Sequence, residues 1–108
     1  LIEQNFLNEQ RFSEAFARGK FRIKGWGKKK ITLALKQKDI SEYCIKKGLL
    51  EIDDSEYMEY LSKLVDKTYQ QKKGLTDYQK KAKTAQYLIG RGYEPHLVWD
   101  ELNNYTHD

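Results

Sequence analysis

The chain has 108 residues, which is one domain's worth of protein with room for a modest core, and its formal net charge is +4. Hydrophobic residues make up 39% of it and charged residues 33%, compared with about 45–50% and about 25% in ordinary globular domains. Few apolar and many charged residues indicate a large surface relative to the core, which is typical of an elongated helical array. We expect no membrane segment, because no run approaches the ~18–20 apolar residues that a span needs.

The cysteine content and the first residues give two further expectations. A lone cysteine, Cys44, excludes an internal disulfide and any cysteine-based metal site, and its place in the helical pattern predicts a small buried side chain. A reducing intracellular compartment fits this composition best, so we expect a cytoplasmic protein. Residues 1–7 read like the close of a helix, and we interpret them as the end of a preceding, missing repeat.

Three helices are predicted in the first half of the chain. Asn8 suits an N-cap, and apolar residues at helical spacing continue from it to about residue 23. Glycines at 25 and 27 interrupt the pattern, because glycine disfavours a helix interior by ~1 kcal/mol. A second helix is predicted over 28–38, with Ile31, Ala34 and Leu35 inside, and a third begins at the cap Ser41, carries Cys44 and Ile45 and ends at Gly48.

Three longer helices are predicted in the second half. Asp53 or Asp54 caps a helix that reaches about Lys73, and Thr76 or Asp77 caps the next, which ends at residues 90–92. Pro95 suits the first turn of the last helix. The side chains predicted to face inward are Tyr57, Leu61, Leu64, Val65 and Thr68, then Tyr78, Ala82, Ala85 and Ile89, then Leu97, Val98, Leu102 and Tyr105.

The later helices of the two halves follow one pattern. Residues 30–49 match residues 83–102, which lie 53 positions later, so that Leu35 pairs with Leu88 and Ile45 with Val98. In the first helices, Phe12 pairs with Tyr57. A period of this length is typical of helical arrays. With no strand-like alternation, the sequence predicts an all-α fold of tandem three-helix repeats over 8–50 and 51–108, elongated, with about six right-handed helices.

A search for catalytic chemistry finds little. His96 and His107 are the only histidines, and neither has a second ligand at metal spacing. Gly27 and Lys28 lack the remaining residues of a phosphate-binding loop. We therefore expect no catalytic residue, no metal and no cofactor, and an enzyme is the weakest of the functions considered.

The charge is distributed unevenly. Residues 1–50 carry 12 Lys and Arg against 5 Asp and Glu, whereas residues 51–108 carry 8 against 11. Seven of the basic residues lie between Arg18 and Lys30 with no acid among them, and like charges at i and i+4 destabilise an isolated helix. This pattern predicts an anionic partner, either nucleic acid or an acidic protein surface. The candidate contact residues are Arg11, Arg18, Lys20, Arg22, Lys24, Trp26, Lys28, Lys29 and Lys30.

The two tryptophans allow different interpretations. Trp99 follows Val98 on the last helix, and we expect it to pack in the second repeat. Trp26 lies in a glycine turn between basic residues. It either folds back as a hydrophobic cap or stacks on a partner's base or side chain.

These motifs resemble the RecX regulatory proteins. The run NEQRFSEAF at 8–16, the basic stretch, GWGKKKI at 25–31 and Lys38-Asp39-Ile40 are similar to the central RecX repeat, and KTAQYLIGRGY at 83–93 is similar to the last. The resemblance implies tandem three-helix repeats that bind the RecA recombinase filament near its DNA and restrain its ATPase and strand-exchange activities, without enzymatic activity or a cofactor. The basic stretch itself predicts sequence-independent contact with single- or double-stranded DNA, and we expect a monomer.

One departure from the family pattern and one alternative remain. Asp39 replaces the glycine that the family usually has in the turn, where Gly92 stands in the second unit, and aspartate tolerates left-handed geometry better than most residues. The alternative function is a stand-alone DNA-binding module of helix-turn-helix type, with the basic helix 28–38 in the major groove.

Overall fold

The computed structural model describes the backbone of residues 2–105 and the side chains of residues 7–104. Within that range the chain forms six α-helices and no strand, which confirms the all-α prediction. The helices are α1 (Ile2–Arg22), α2 (Lys28–Gln37), α3 (Glu42–Leu49), α4 (Asp54–Gln70), α5 (Asp77–Gly90) and α6 (Pro95–Tyr105). His107 and the side chain of Tyr105 lie outside the described residues.

Helix starts follow the capping residues of the sequence. The Ser41 side chain accepts from the Cys44 N–H at 3.2 Å, and that of Asp53 accepts from the Glu56 N–H at 2.9 Å. Thr76 begins α5 with a capping box, in which its hydroxyl and the Gln79 side chain each accept from the other residue's N–H. Each cap satisfies first-turn donors that have no partner inside the helix.

The start of the first helix is different from the prediction. Helix α1 is continuous from Ile2, so Asn8 lies in its interior and is not an N-cap. The reason is that neither glycine nor proline interrupts the chain before Gly19, and a capping residue alone does not break a helix. The interpretation of residues 1–7 as the end of a preceding repeat stays a prediction.

Each half of the chain forms its own three-helix bundle, and the two bundles share equivalent core positions. Helices α1, α2 and α3 contact one another, and so do α4, α5 and α6. Leu35 and its counterpart Leu88 are both completely buried, and Ile45 and Val98 are 3% and 0% exposed. The repeated apolar pattern therefore marks the core of each unit, as the sequence predicts.

Small residues bring α1 and α3 together. The buried face of α1 carries Ser13, Ala17 and Phe21, one position later than the predicted pairing, and Phe12 is 44% exposed. A Cβ on Gly48 would lie 2.7 Å from the Ser13 carbonyl oxygen. Gly48 thus does not end α3, which continues to Leu49, but allows the two helices to approach closely.

Three side chains of the second unit are more exposed than the sequence predicts. Tyr78 is 77% exposed, Ile89 36% and Trp99 37%, whereas α5 buries Thr84, Ala85 and Leu88. The predicted α5 face includes the buried Ala85 and the partly buried Ala82, but Tyr78 and Ile89 are turned toward solvent. Trp99 follows the fully buried Val98, so the helix rotates it toward solvent.

Two glycine turns join the units. The Gly27 N–H donates to the Arg91 carbonyl at 2.9 Å, and the Lys29 N–H donates to the Gly92 carbonyl at 2.8 Å. A Cβ on Gly27 would lie 2.2 Å from the carbonyl carbon of Gly92. Gly92 itself has φ 101°, and a Cβ on it would lie 2.3 Å from the Cβ of Lys30. Only glycine fits at these two positions.

Buried tyrosines extend this junction into one continuous core. Tyr57 and Tyr93 stack with ring centroids 5.3 Å apart, and Phe21 contacts Tyr57 at 5.6 Å. The Tyr93 hydroxyl donates to the Gly25 carbonyl at 2.9 Å, and burial raises the pKa of Tyr93. The molecule measures 59 × 24 × 21 Å with a radius of gyration of 16.2 Å, against about 13 Å for a compact chain of this length. The elongated shape is confirmed.

Candidate functional site

A strip of aromatic rings and lysines crosses the first repeat. We call it the aromatic strip and define it as Phe12, Phe16, Lys20, Trp26, Lys30 and Lys38. Phe12 and Phe16 lie one turn apart on α1, with ring centroids 5.6 Å apart, and Phe16 meets Trp26 edge-on at 6.3 Å. The Gly-Trp-Gly turn thus returns Trp26 to the side of α1, where it packs partly against the core. Trp26 is a hydrophobic cap that also keeps part of its ring exposed.

Three lysines contact these rings. Lys20 Nζ lies 4.9 Å from the Trp26 centroid and 5.4 Å from that of Phe16, and Lys30 Nζ lies 4.5 Å from that of Trp26. Lys38 Nζ lies 5.9 Å from the Phe16 centroid. Each cation is attracted to the electron-rich face of a ring, an interaction of about 0.5–1 kcal/mol at exposed sites. The rings hold positive charge in place without neutralising it.

Other predicted contact residues are paired inside the molecule. Arg18 contacts Glu51 at 2.6 Å and Arg22 contacts Glu56 at 3.4 Å, so acids at the start of the second repeat face bases of the first. The stretch between Arg18 and Lys30 contains no acidic residue, but acids from the second repeat lie next to it in the folded chain. Because these pairs are largely exposed, each contributes about 1 kcal/mol or less, and their charges are less available to a partner.

Lys28 has a structural role at the junction of the repeats. Its Nζ lies 3.1 Å from Asp54 and 4.7 Å from the Tyr57 ring, and its backbone N–H donates to the Tyr57 hydroxyl at 3.0 Å. That hydroxyl donates in turn to Glu94. Burial and then this hydrogen bond raise the pKa of Tyr57, so the phenol stays neutral.

The remaining predicted residues are exposed and separate from the strip. Arg11, Lys24 and Lys29 are exposed, and none forms an ion pair within residues 7–104. The Lys24 carbonyl accepts from the Arg91 guanidinium, which ties this turn to the second repeat. The structure therefore brings together Lys20, Trp26 and Lys30 of the predicted set.

Sequence reasoning missed Phe12, Phe16 and Lys38 as members of this surface. The signal was present as residues four apart, since 12, 16 and 20 share one face of α1, and 30, 34 and the C-cap residue 38 follow the same spacing along α2. In the sequence alone, the phenylalanines indicate only the apolar spacing of a helix. A surface of cations interleaved with rings is typical of proteins that hold single strands.

The described part of the chain offers no arrangement suited to metal chemistry. No group of three or more His, Cys, Asp or Glu side chains is placed there to hold an ion. Cys44 is completely buried, as predicted, and His96 is exposed at the start of α6. None of the described helices combines the length and apolar content that a membrane crossing requires.

The fold and this surface define a class of protein, an all-α array of three-helix repeats that exposes rings and lysines on its first repeat. Comparison with known families then gives the identity of the repeats. Residues 8–49 match the second three-helix domain of RecX, and residues 54–102 match the third. The chain belongs to the RecX family, which confirms the resemblance seen in its sequence.

Individual relatives agree with this assignment. The chain is 29% identical over 106 residues to the regulatory protein RecX of Lactobacillus johnsonii, covering 95% of this chain and 39% of that protein. It is 31% identical over 96 residues to RecX of Clostridium perfringens strain 13, covering 87% and 44%. It is 34% identical over 77 residues to RecX of Photobacterium profundum, covering 71% of this chain and 28% of that protein. The chain thus spans less than half the length of these relatives, and no solved structure matches it significantly.

Proposed function

We propose that this chain binds RecA nucleoprotein filaments and inhibits or modulates the recombinase and its ATPase in DNA repair and recombination. Membership of the RecX family supports the partner, since the relatives are named regulatory proteins. The observation that carries the choice of surface is the aromatic strip, where Lys20, Lys30 and Lys38 contact rings and form no ion pair within the described residues.

The proposed mechanism is binding without catalysis or a cofactor, by a monomer in the cytoplasm. Lysines on the strip meet phosphates, and these contacts are independent of base sequence and weaken with salt. Phe12, with 44% of its surface exposed, is the open ring for stacking. The length of 59 Å allows weak contacts at several points along a repeating partner, and such contacts add through high effective concentration.

A charge-reversal variant tests the proposal. The combined change Lys20→Glu, Lys30→Glu and Lys38→Glu removes the cations of the strip, while Lys63→Glu, Lys73→Glu and Lys83→Glu alter the net charge equally at exposed sites of the second repeat. We expect the first variant to bind RecA filaments on single-stranded DNA at least about tenfold more weakly, a loss of ~1.4 kcal/mol or more, and to lose inhibition of the ATPase. The second variant serves as the matched control.

Two results would reject the proposal. Equal inhibition by the strip variant and the control, both folded by circular dichroism, would remove the strip from the mechanism. Tight, sequence-dependent binding to naked duplex at physiological salt, with no preference for the filament, would favour the stand-alone DNA-binding alternative.

A further inference from the structure

A second surface of the first repeat lies on the other flank of α2. Concavities of about 560 and 240 Å³ share Thr32, Lys36 and Leu49 and form one continuous groove between α2 and α3. We call it the α2–α3 groove. It is lined by Thr32, Leu33, Lys36, Ile45, Lys46 and Leu49. Lys30 of α2 and Lys38, the residue that caps its end, contact the aromatic strip instead, so the two surfaces are separate.

The groove combines aliphatic side chains with an excess of positive charge, since four lysines line it against Glu42 and Glu94. Leu33 is 58% exposed, although it lies on a helix that buries Ile31 and Leu35 completely. Lys36 and Lys46 border the groove, with Lys29 at the end nearest the start of α2, and none of the three ion-pairs within residues 7–104. An apolar floor with a lysine rim matches apolar side chains that carry acidic neighbours.

The same residues disfavour a nucleic acid as the occupant. No aromatic side chain lines the α2–α3 groove, so bases have no ring on which to stack. Glu94 lies at the end formed by the start of α2, and Glu42 lies at the end formed by the start of α3. A strand of phosphates offers no apolar group to cover the aliphatic side chains of the groove, whereas the apolar face of an amphipathic helix does.

We infer that the α2–α3 groove binds an acidic amphipathic helix of a protein partner, which seats its apolar face between α2 and α3 and directs Asp or Glu side chains to Lys29, Lys36 and Lys46. Grooves between two helices commonly take helical segments through apolar residues spaced three and four apart. This surface and its partner are independent of the proposed function of the aromatic strip, and binding at one is measured separately from binding at the other.

A designed peptide serves as the probe. It is a fluorescein-labelled helix of about 15 residues, stapled to hold its conformation, with Leu at helical spacing on one face and Glu elsewhere. Fluorescence anisotropy with the full chain measures its affinity, and backbone amide shifts in NMR locate it. We expect shifts around Leu33, Ile45 and Leu49, and binding at least about tenfold tighter than that of a stapled peptide with the same composition in scrambled order.

Substitutions in the α2–α3 groove provide a second test of peptide binding. Leu33→Asp and Lys36→Glu are each expected to weaken binding about tenfold, while Lys83→Glu, a matched charge reversal on α5, leaves it unchanged. Both changed side chains are exposed, so the fold is retained, and Lys36→Glu alone is a sufficient test if Leu33→Asp lowers the melting temperature.

Three outcomes would overturn the inference. Equal binding of the scrambled peptide or of oligoglutamate would mean that charge alone is recognised. Shifts around Leu33 and Ile45 on addition of oligo(dT) would assign the groove to nucleic acid. Self-association that Leu33→Asp abolishes would assign it to a second copy of this chain.

Discussion

The turns before α3 and α6 are equivalent in the two repeats but have different surroundings. Asp39 in the first repeat has φ 60°, and Gly92 in the second has φ 101°, so both use left-handed backbone. Asp39 is exposed, whereas Gly92 is buried against Gly27 and Lys30 of the other repeat. The turn of the second repeat is thus a docking element, and that of the first is an open surface. Aspartate is accepted in the open turn because nothing crowds its side chain.

The same contrast extends to charge. The first repeat keeps lysines on the aromatic strip and in the α2–α3 groove, and the second repeat directs Glu51, Asp54 and Glu56 back at bases of the first. The first repeat therefore presents the surfaces proposed for binding, and the second repeat contributes acids that pair with it. Changes at equivalent positions should consequently have unequal effects.

The largest difference is expected from exchanging the turn residues. Gly92→Asp places a side chain where a Cβ already meets Lys30 at 2.3 Å, and it should destabilise the chain by roughly 3 kcal/mol or more. Asp39→Gly should change stability by about 1 kcal/mol or less, because relief of backbone strain is offset by greater freedom of the unfolded chain. Urea unfolding followed by circular dichroism measures both, and effects of equal size would contradict the docking role of the Gly92 turn.

A smaller loss is expected when the buried tyrosine network is broken. Tyr57→Phe removes the hydroxyl that accepts from the Lys28 N–H and donates to Glu94, and should cost about 1–3 kcal/mol because both groups lose a partner. Tyr78→Phe, at a side chain that is 77% exposed, is the control and should stay within about 0.5 kcal/mol. If Tyr57→Phe left the free energy of unfolding unchanged, the junction of the two repeats would not depend on this network.

Alkaline pH should weaken the same junction. Burial raises the pKa of Tyr57 and Tyr93 in the folded state, so folding holds their protons more tightly than the unfolded chain does. Their contribution to the free energy of unfolding is complete below the pKa of an unfolded tyrosine, about 10, and declines as pH rises above that value. Tyr93→Phe should show a shallower decline than the wild type in urea unfolding between about pH 9 and 11, and identical slopes would contradict this role.

The smallest effects should come from the exposed ion pairs between the repeats. Glu51→Gln removes the partner of Arg18 and should cost about 1 kcal/mol or less, with the difference shrinking in high salt. A double-mutant cycle with Arg18→Gln isolates the pair. A coupling above about 2 kcal/mol would show that this contact, and not the glycine turns, holds the repeats together.

Local signals made much of the fold predictable. Ser41, Asp53 and Thr76 cap helices as read from sequence, and the repeated spacing of Leu35 and Leu88 marks two cores. Burial of Ser13 in place of Phe12 was not predictable, because it depends on how closely α3 approaches.

The candidate site was less accessible to sequence reasoning. The pairing of Arg18 with Glu51, 33 residues away, depends on how the repeats pack, and no local pattern encodes it. Trp26 is a candidate from sequence, but its contact with Phe16, and that of Phe16 with Lys38, depend on how α1 and α2 pack side by side.

The tryptophans offer the most direct test of the division between the repeats, since each repeat carries one. 5-Hydroxytryptophan can be excited selectively, at a wavelength that a partner's tryptophan does not absorb. One chain carries it at position 26 together with Trp99→Phe, and the other carries it at position 99 together with Trp26→Phe. Acrylamide quenching is then measured with and without RecA filaments on single-stranded DNA. We predict that the filament shields Trp26 and leaves Trp99, 37% exposed in the free chain, open to quencher. Shielding of Trp99 without shielding of Trp26 would contradict the assignment of binding to the first repeat.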